Sequence, residues 1–197
     1  MSAFALIKTS VDMVKEKLID KNRALTRIPA QKLEALLHKT IDYSKTKDFK
    51  QLAKGIAESP GAASGIAVFD VKKAIAMGEN NTKVILIRIE TKPEDVPAFF
   101  SSEGILTSLG VKSSHAAIVS RVMGKPCIVG CSELKVDYDK RKCNANGITI
   151  LEGDTLTIDG STGTVYGGVI PPIAHQVTKD FQTSLTGAHK AKRLGMR

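Results

Sequence analysis

Residues 104–130 read GILTSLGVKSSHAAIVSRVMGKPCIVG, and this stretch decides the fold class. Gly104–Thr107 is an apolar run of strand length, and a glycine-containing loop follows it. Ser113–Met123 reads as a helix, with Ser113 or Ser114 as its N-cap and Gly124 and Pro126 closing it. Cys127–Val129 is a second apolar strand. Ala116, Ala117, Ile118 and Val122 form a small apolar face, which predicts tight packing below the first helical turn.

The loop delivers His115 to the helix N-terminus. The unpaired N–H groups of a first turn make a natural anion site, and Lys112 adds a positive charge just before the cap. Arg121 lies further along the same helix. The partial positive charge at a helix N-terminus disfavours imidazolium, so His115 tends to stay neutral, which is the nucleophilic form. A neutral imidazole beside anion-binding donors suits attack on a phosphoryl group and stabilisation of the charge it brings. The same residues also fit a plain helix-cap histidine, or a loop that binds phosphate without covalent chemistry.

Outward from this stretch, strands and short helices alternate from Ser59 to about Ile170. Ser59-Pro60-Gly61 is turn chemistry, Ile66–Phe69 is β-prone, and Lys83–Ile89 is a β-branched run flanked by Asn80-Asn81 and Pro93. Gly147–Leu151, Thr155–Asp159 and Thr164–Tyr166 are joined by glycine turns. The pattern predicts a compact β-rich α/β domain over residues 59–170. Residues 1–40 form a helical N-terminal segment: Val11, Val14, Leu18 and Ile19 share one face, and Pro29 opens a second helix with Leu33, Leu36 and Leu37 as its stripe. Residues 41–58, with Lys45, Lys47, Lys50 and Lys54 among polar residues, read as a basic linker. Pro171-Pro172 ends the domain, and residues 171–197 read as a polar, basic C-terminal connector.

Composition narrows the function. The 197 residues carry 29 Lys and Arg against 20 Asp and Glu, a net charge of +9. With 42% hydrophobic and 25% charged residues this is an ordinary globular balance. Trp is absent, with 6 Phe and 3 Tyr, so base stacking is not a dominant theme and nucleic-acid binding is disfavoured. No apolar run approaches the ~20 residues of a membrane span. Cys127, Cys131 and Cys143 lack a second Cys/His pair for a metal and read as thiols in a reducing compartment, which with the absence of a signal-like start points to the cytoplasm.

TSLGVKSSHAAIVSRVMGKPCIVGC resembles the phosphohistidine motif of the phosphoenolpyruvate-utilising enzymes, roughly G-G-x-T-S-H-A-A-[IV]-[IV]-A-R-x-x-G-x-P. VDMVKEKLIDKNRALTRIPAQKLEALLH, SPGAASGIAVF, VILIRIETKPED, EGILTSLG and EGDTLTIDGSTGTVYGG add to the resemblance in the right order. It implies a swivelling phosphohistidine domain of β/β/α type, preceded by a short helical segment. His115 matches the phosphorylated histidine, not His38, His175 or His189, which have no adjacent glycine loop. Gly110, Lys112, Ser113, Ser114 and Arg121 fall at positions that support the phosphoryl group. Ser113 stands where some members carry a regulatory threonine, and Ser114 where water-dependent relatives carry cysteine, which favours the phosphate-dependent branch. Three positions depart from the pattern: Leu109, Lys112, and Val111 in place of a second glycine. The resemblance further implies that the chain binds no cofactor itself, with Mg and ATP held by an ATP-grasp partner domain. A TIM-barrel partner handles pyruvate and phosphoenolpyruvate, and both partners are expected in trans. The alternative is a degenerate relative serving as a non-catalytic docking or regulatory module.

Overall fold

The computed structural model describes residues 9, 10, 12–27, 38–110 and 115–173. They fall into two units, Met1–His38 with Ala174–Arg197, and Lys39–Ile173. In the first unit residues 12–15 are helical, Lys17 turns the chain at φ 58°, and a six-residue helix follows over Lys21–Thr26. Asp20 caps that helix, its Oδ1 accepting the Arg23 N–H at 2.7 Å. The second helix expected after Pro29 lies outside the described residues, as do His175, His189 and the rest of 174–197.

The second unit is built on an eight-stranded sheet. Its order is β2 (Gln51–Lys54), β12 (Thr164–Gly167), β11 (Thr155–Asp159), β4 (Ala62–Val68), β5 (Val84–Arg88), β6 (Gly104–Thr107), β7 (Cys127–Val129) and β3 (Ile56–Ser59). The four strands β4, β5, β6 and β7 run parallel. Parallel neighbours need crossovers, and helices α1 (Val71–Glu79), α2 (Val96–Ser101) and α3 (His115–Val122) supply them. A separate antiparallel sheet contains β8 (Leu134–Asp137), β9 (Lys142–Ala145) and β10 (Ile148–Leu151).

The side chains of β5 explain the layering. Val84 and Leu86 pack with Ala74, Ala98 and Phe99 on the helical side. Ile85 and Ile87 face the other way, in one cluster with Leu134, Cys143 and Ile150 of the small sheet. A strand covered on both faces must be apolar at every position, and VILI is. The result is helices, a large sheet and a small sheet in three layers, the β-rich α/β class read from the sequence.

The linker expected over residues 41–58 does not exist. That segment supplies both edges of the large sheet, and β2 and β3 are separated by Gly55 alone. The two edges therefore meet at Gly55, whose N–H donates to Gly163 O at 2.8 Å. A Cβ at Gly55 would lie 2.7 Å from Val129 O and closer still to Cys131 Sγ, so only glycine permits the crossing. Lys50 and Lys54 are the protective lysines of an edge, while Leu52 and Ala53 are buried. Lysine spacing by itself does not distinguish such an edge from a solvated connector. At the base of the unit, β1 (Thr40–Ile41) pairs antiparallel with β13 (Pro172–Ile173), joining the incoming and outgoing chain. The unit thus spans Lys39–Ile173 rather than 59–170.

Candidate functional site

The loop after β6 is held from both sides. Ser108 N–H donates to Arg88 O at 3.0 Å and Leu109 N–H to Ile89 O at 2.7 Å, which continues the β5–β6 ladder past the strand. On the other flank Cys131 N–H donates to Thr107 O at 3.0 Å. The Thr107 hydroxyl donates to Leu109 O at 2.5 Å. Gly110 follows at φ 128°, and Gly130, after β7, turns at φ 64°. A Cβ on Gly130 would stand 2.8 Å from Gly110 O, so the two loops touch through backbone. Val111, Lys112, Ser113 and Ser114 lie outside the described residues. The chain is described again at His115, the first residue of α3.

The start of α3 therefore sits beyond the carboxyl ends of β6 and β7, where open α/β sheets place their ligands. Its first turn offers N–H groups with no partner inside the helix. The packing face differs from the one expected. Val119 and Met123 join the core under the helix, and Ser120 is buried beside Cys127. Ile118 is 55% exposed and Val122 84% exposed, so these apolar residues point away from the sheet. Tight packing against the sheet at Val119 and Ser120 leaves the opposite side of an eight-residue helix facing outward.

Arg121 is occupied within the unit. Its Nε and Nη2 donate to Glu58 O at 3.1 and 2.9 Å, and Nη2 also reaches Glu58 Oε2 at 2.8 Å. Six residues of helix put Arg121 about 9 Å along the axis from position 115. Its geometry is that of an anchor for α3. Sequence reading missed Glu58 altogether, because it fell in the supposed linker. At the far end, Lys125 Nζ donates to Phe100 O at 2.7 Å and to Ser102 O, meeting the carbonyls at the end of α2. Burial lowers the pKa of this ammonium.

Beside the loop Arg88 and Tyr138 pack together, and Arg88 Nε lies 3.4 Å from the buried Asp95 Oδ2. Arg88 Nη1 donates to Phe69 O at 3.1 Å, and its guanidinium lies 4.8 Å from the centre of the Tyr138 ring. Tyr138 Oη accepts the Ile89 N–H at 2.7 Å, so the turn after β8 rests on the loop after β5. Cys127, Cys131 and Cys143 are buried free thiols, and burial pushes each up to about 12. Among the described residues no helix is long and apolar enough to cross a membrane.

Residues 80–163 match the family model described as PEP-utilising enzyme, mobile domain. Over 197 residues the chain is 46% identical to pyruvate, phosphate dikinase of Entamoeba histolytica, covering 100% of this chain and 22% of that protein. It is 43% identical over 196 residues to pyruvate, phosphate dikinase of Rickettsia felis, again with 22% of that protein covered. The chain thus spans about a fifth of the length of these relatives. A solved structure of Enzyme I (nEIt) is 22% identical over 54% of this chain and 38% of that one, at a TM-score of 0.31, too low to bear on the fold. Over residues 80–163 the chain is similar to the mobile domain of the PEP-utilising enzymes, and along its whole length to the pyruvate, phosphate dikinases.

Proposed function

We propose that the chain is a phosphohistidine carrier that accepts a phosphoryl group on His115 and passes it on, as the central domain of a pyruvate, phosphate dikinase. The observation that carries this reading is the position of His115. It opens a helix at the carboxyl ends of two parallel strands, next to a loop pinned by Gly110 and Gly130, inside the segment that matches the mobile domain. In the forward step the neutral imidazole nitrogen attacks the phosphorus. An N–P bond forms as the bond from phosphorus to the leaving phosphate oxygen breaks, and the departing oxygen takes the electron pair. The first-turn N–H groups then balance the charge of the arriving oxygens, and Gly110, Lys112, Ser113 and Ser114, at the positions of the motif that support the phosphoryl group, are assigned to the same task. Arg121 supports the site by holding the helix.

The donor is an ATP-grasp domain that holds ATP and Mg, and the acceptor a TIM-barrel domain that binds pyruvate, both supplied outside the Lys39–Ile173 unit. Ile118 and Val122 lie three and seven positions beyond His115, on the side of the helix that each partner would cover. Incubation with an ATP-grasp domain of the family and ATP-Mg should give acid-labile label on wild type and none on His115→Asn. Label that persists in the variant overturns the assignment. A wild type that accepts no phosphoryl group from any family donor leaves the docking-module reading in its place.

A further inference from the structure

β3 and β7 pair with Ile56 opposite Val129, Ala57 opposite Ile128, and Ser59 opposite Cys127. Glu58 is the extra residue between Ala57 and Ser59, the site of a bulge in the ladder. A bulge frees one carbonyl from strand pairing and re-aims one side chain. Both freed groups go to the same place. Glu58 O receives two N–H groups of Arg121, and Glu58 Oε2 receives a third contact, at 2.8 Å. The Glu58 side chain is 1% exposed and that of Arg121 57% exposed, so a buried acceptor pair grips an exposed cation on α3. Glu58 Oε1 and Ser59 Oγ are buried with no hydrogen-bond partner among the described residues. Burying a carboxylate is costly, and removing its charged partner leaves that cost uncompensated.

We infer that Glu58 is a positioning residue: through Arg121 it fixes how far α3 slides and rolls over the edge of the sheet, and so where position 115 stands. This rests on the carrier reading for its consequence, since a donor must find the imidazole at one place relative to the Gly110 loop. The physical claim about the helix stands apart from that reading. A fork with two oxygens on one residue resists rotation in a way that a single contact does not.

The test compares the full chain with Glu58→Ala, Glu58→Gln and Arg121→Ala. Glu58→Ala removes the carboxylate but keeps the carbonyl, and the guanidinium it releases is already in solvent, so folding is spared. Arg121→Ala instead strands a buried carboxylate and is the harsher change. Amide hydrogen exchange is followed over residues 116–123 and, as a reference, over β5. Exchange in α3 should rise severalfold in Glu58→Ala and about tenfold in Arg121→Ala, return most of the way in Glu58→Gln, and stay unchanged in β5. Labelling of His115 by a family ATP-grasp donor should slow in the same order, as a lower turnover with an unchanged half-saturating donor concentration. Exchange in α3 equal to wild type in Glu58→Ala overturns the inference, and so does a loosened α3 that is labelled at the wild-type rate. If wild type takes no label, the carrier reading falls, and the exchange measurement by itself still decides whether Glu58 holds the helix.

Discussion

Tyr43 Oη donates a hydrogen bond to Asp159 Oδ2 at 2.9 Å, across 116 residues of sequence. Asp159 is fully buried at the end of β11, where it also accepts from Thr162 Oγ1 at 2.7 Å and Ser161 N–H at 3.0 Å. The segment that leads into β2 is thereby strapped to the middle of the large sheet. Burial pushes the Tyr43 phenol well above its usual range, and the Asp159 carboxylate adds to the shift.

Tyr43→Phe should cost about 1 kcal/mol, since the ring is half-exposed and Asp159 keeps two other donors. The pH dependence has a definite sign. The folded state holds the phenolic proton more tightly than the unfolded chain, so the contribution is complete below pH 10 and is lost as pH rises above it. Urea unfolding of wild type should weaken more steeply between pH 9 and pH 11 than that of Tyr43→Phe. Equal slopes would mean the bond is not made in solution.

Glu152 ties the turn after β10 to α1 and to the hairpin before it. Its Oε1 meets Lys73 Nζ at 2.5 Å and Arg141 Nη1 at 3.5 Å. Burial works to raise this carboxyl, but the Lys73 contact, the Phe69 N–H and Arg141 together hold it below the ordinary value. The contribution is therefore present above the unfolded pKa and lost as pH falls through the folded one. Glu152→Gln should lower stability by about 1 kcal/mol at pH 7, with the difference fading by pH 3. Denaturation midpoints at the two pH values check this, and a gap that persists at pH 3 would point to packing instead.

Gly130→Ala places a methyl group 2.8 Å from Gly110 O at a positive φ of 64°. Left-handed backbone costs alanine about 1 kcal/mol, and the clash adds to it, so a loss of about 2 kcal/mol is expected. The displaced Gly110 loop should also slow labelling of His115. Gly147→Ala provides the control, because it has a similar φ of 81° and nothing within 4 Å of the added Cβ. It should lose about 1 kcal/mol and leave labelling unchanged. If both variants slow labelling alike, the contact between the two loops is not what matters.

The sequence by itself determined the elements whose signals are local. Gly104–Thr107, Cys127–Val129 and Thr155–Asp159 are apolar or β-branched runs bounded by glycine, proline or turn residues, and each is a strand with those bounds. The helix that begins the site was legible for the same reason, and so was His115 at its start. Tertiary structure decided the rest, because its causes lie far apart in the chain. Residues 41–58 look like a connector until β12 and β7 supply the pairing partners of β2 and β3. The strands β8 and β9 are short and lysine-bearing, and they become strands only where Leu134, Cys143 and Ala145 find the Ile85 and Ile87 face of the large sheet. Glu58 and Arg121 are 63 residues apart, and no spacing rule links a bulge on one edge to a helix on another element. Hydrophobic pattern is written along the chain, whereas an ion pair or an edge is defined only by what the fold brings beside it.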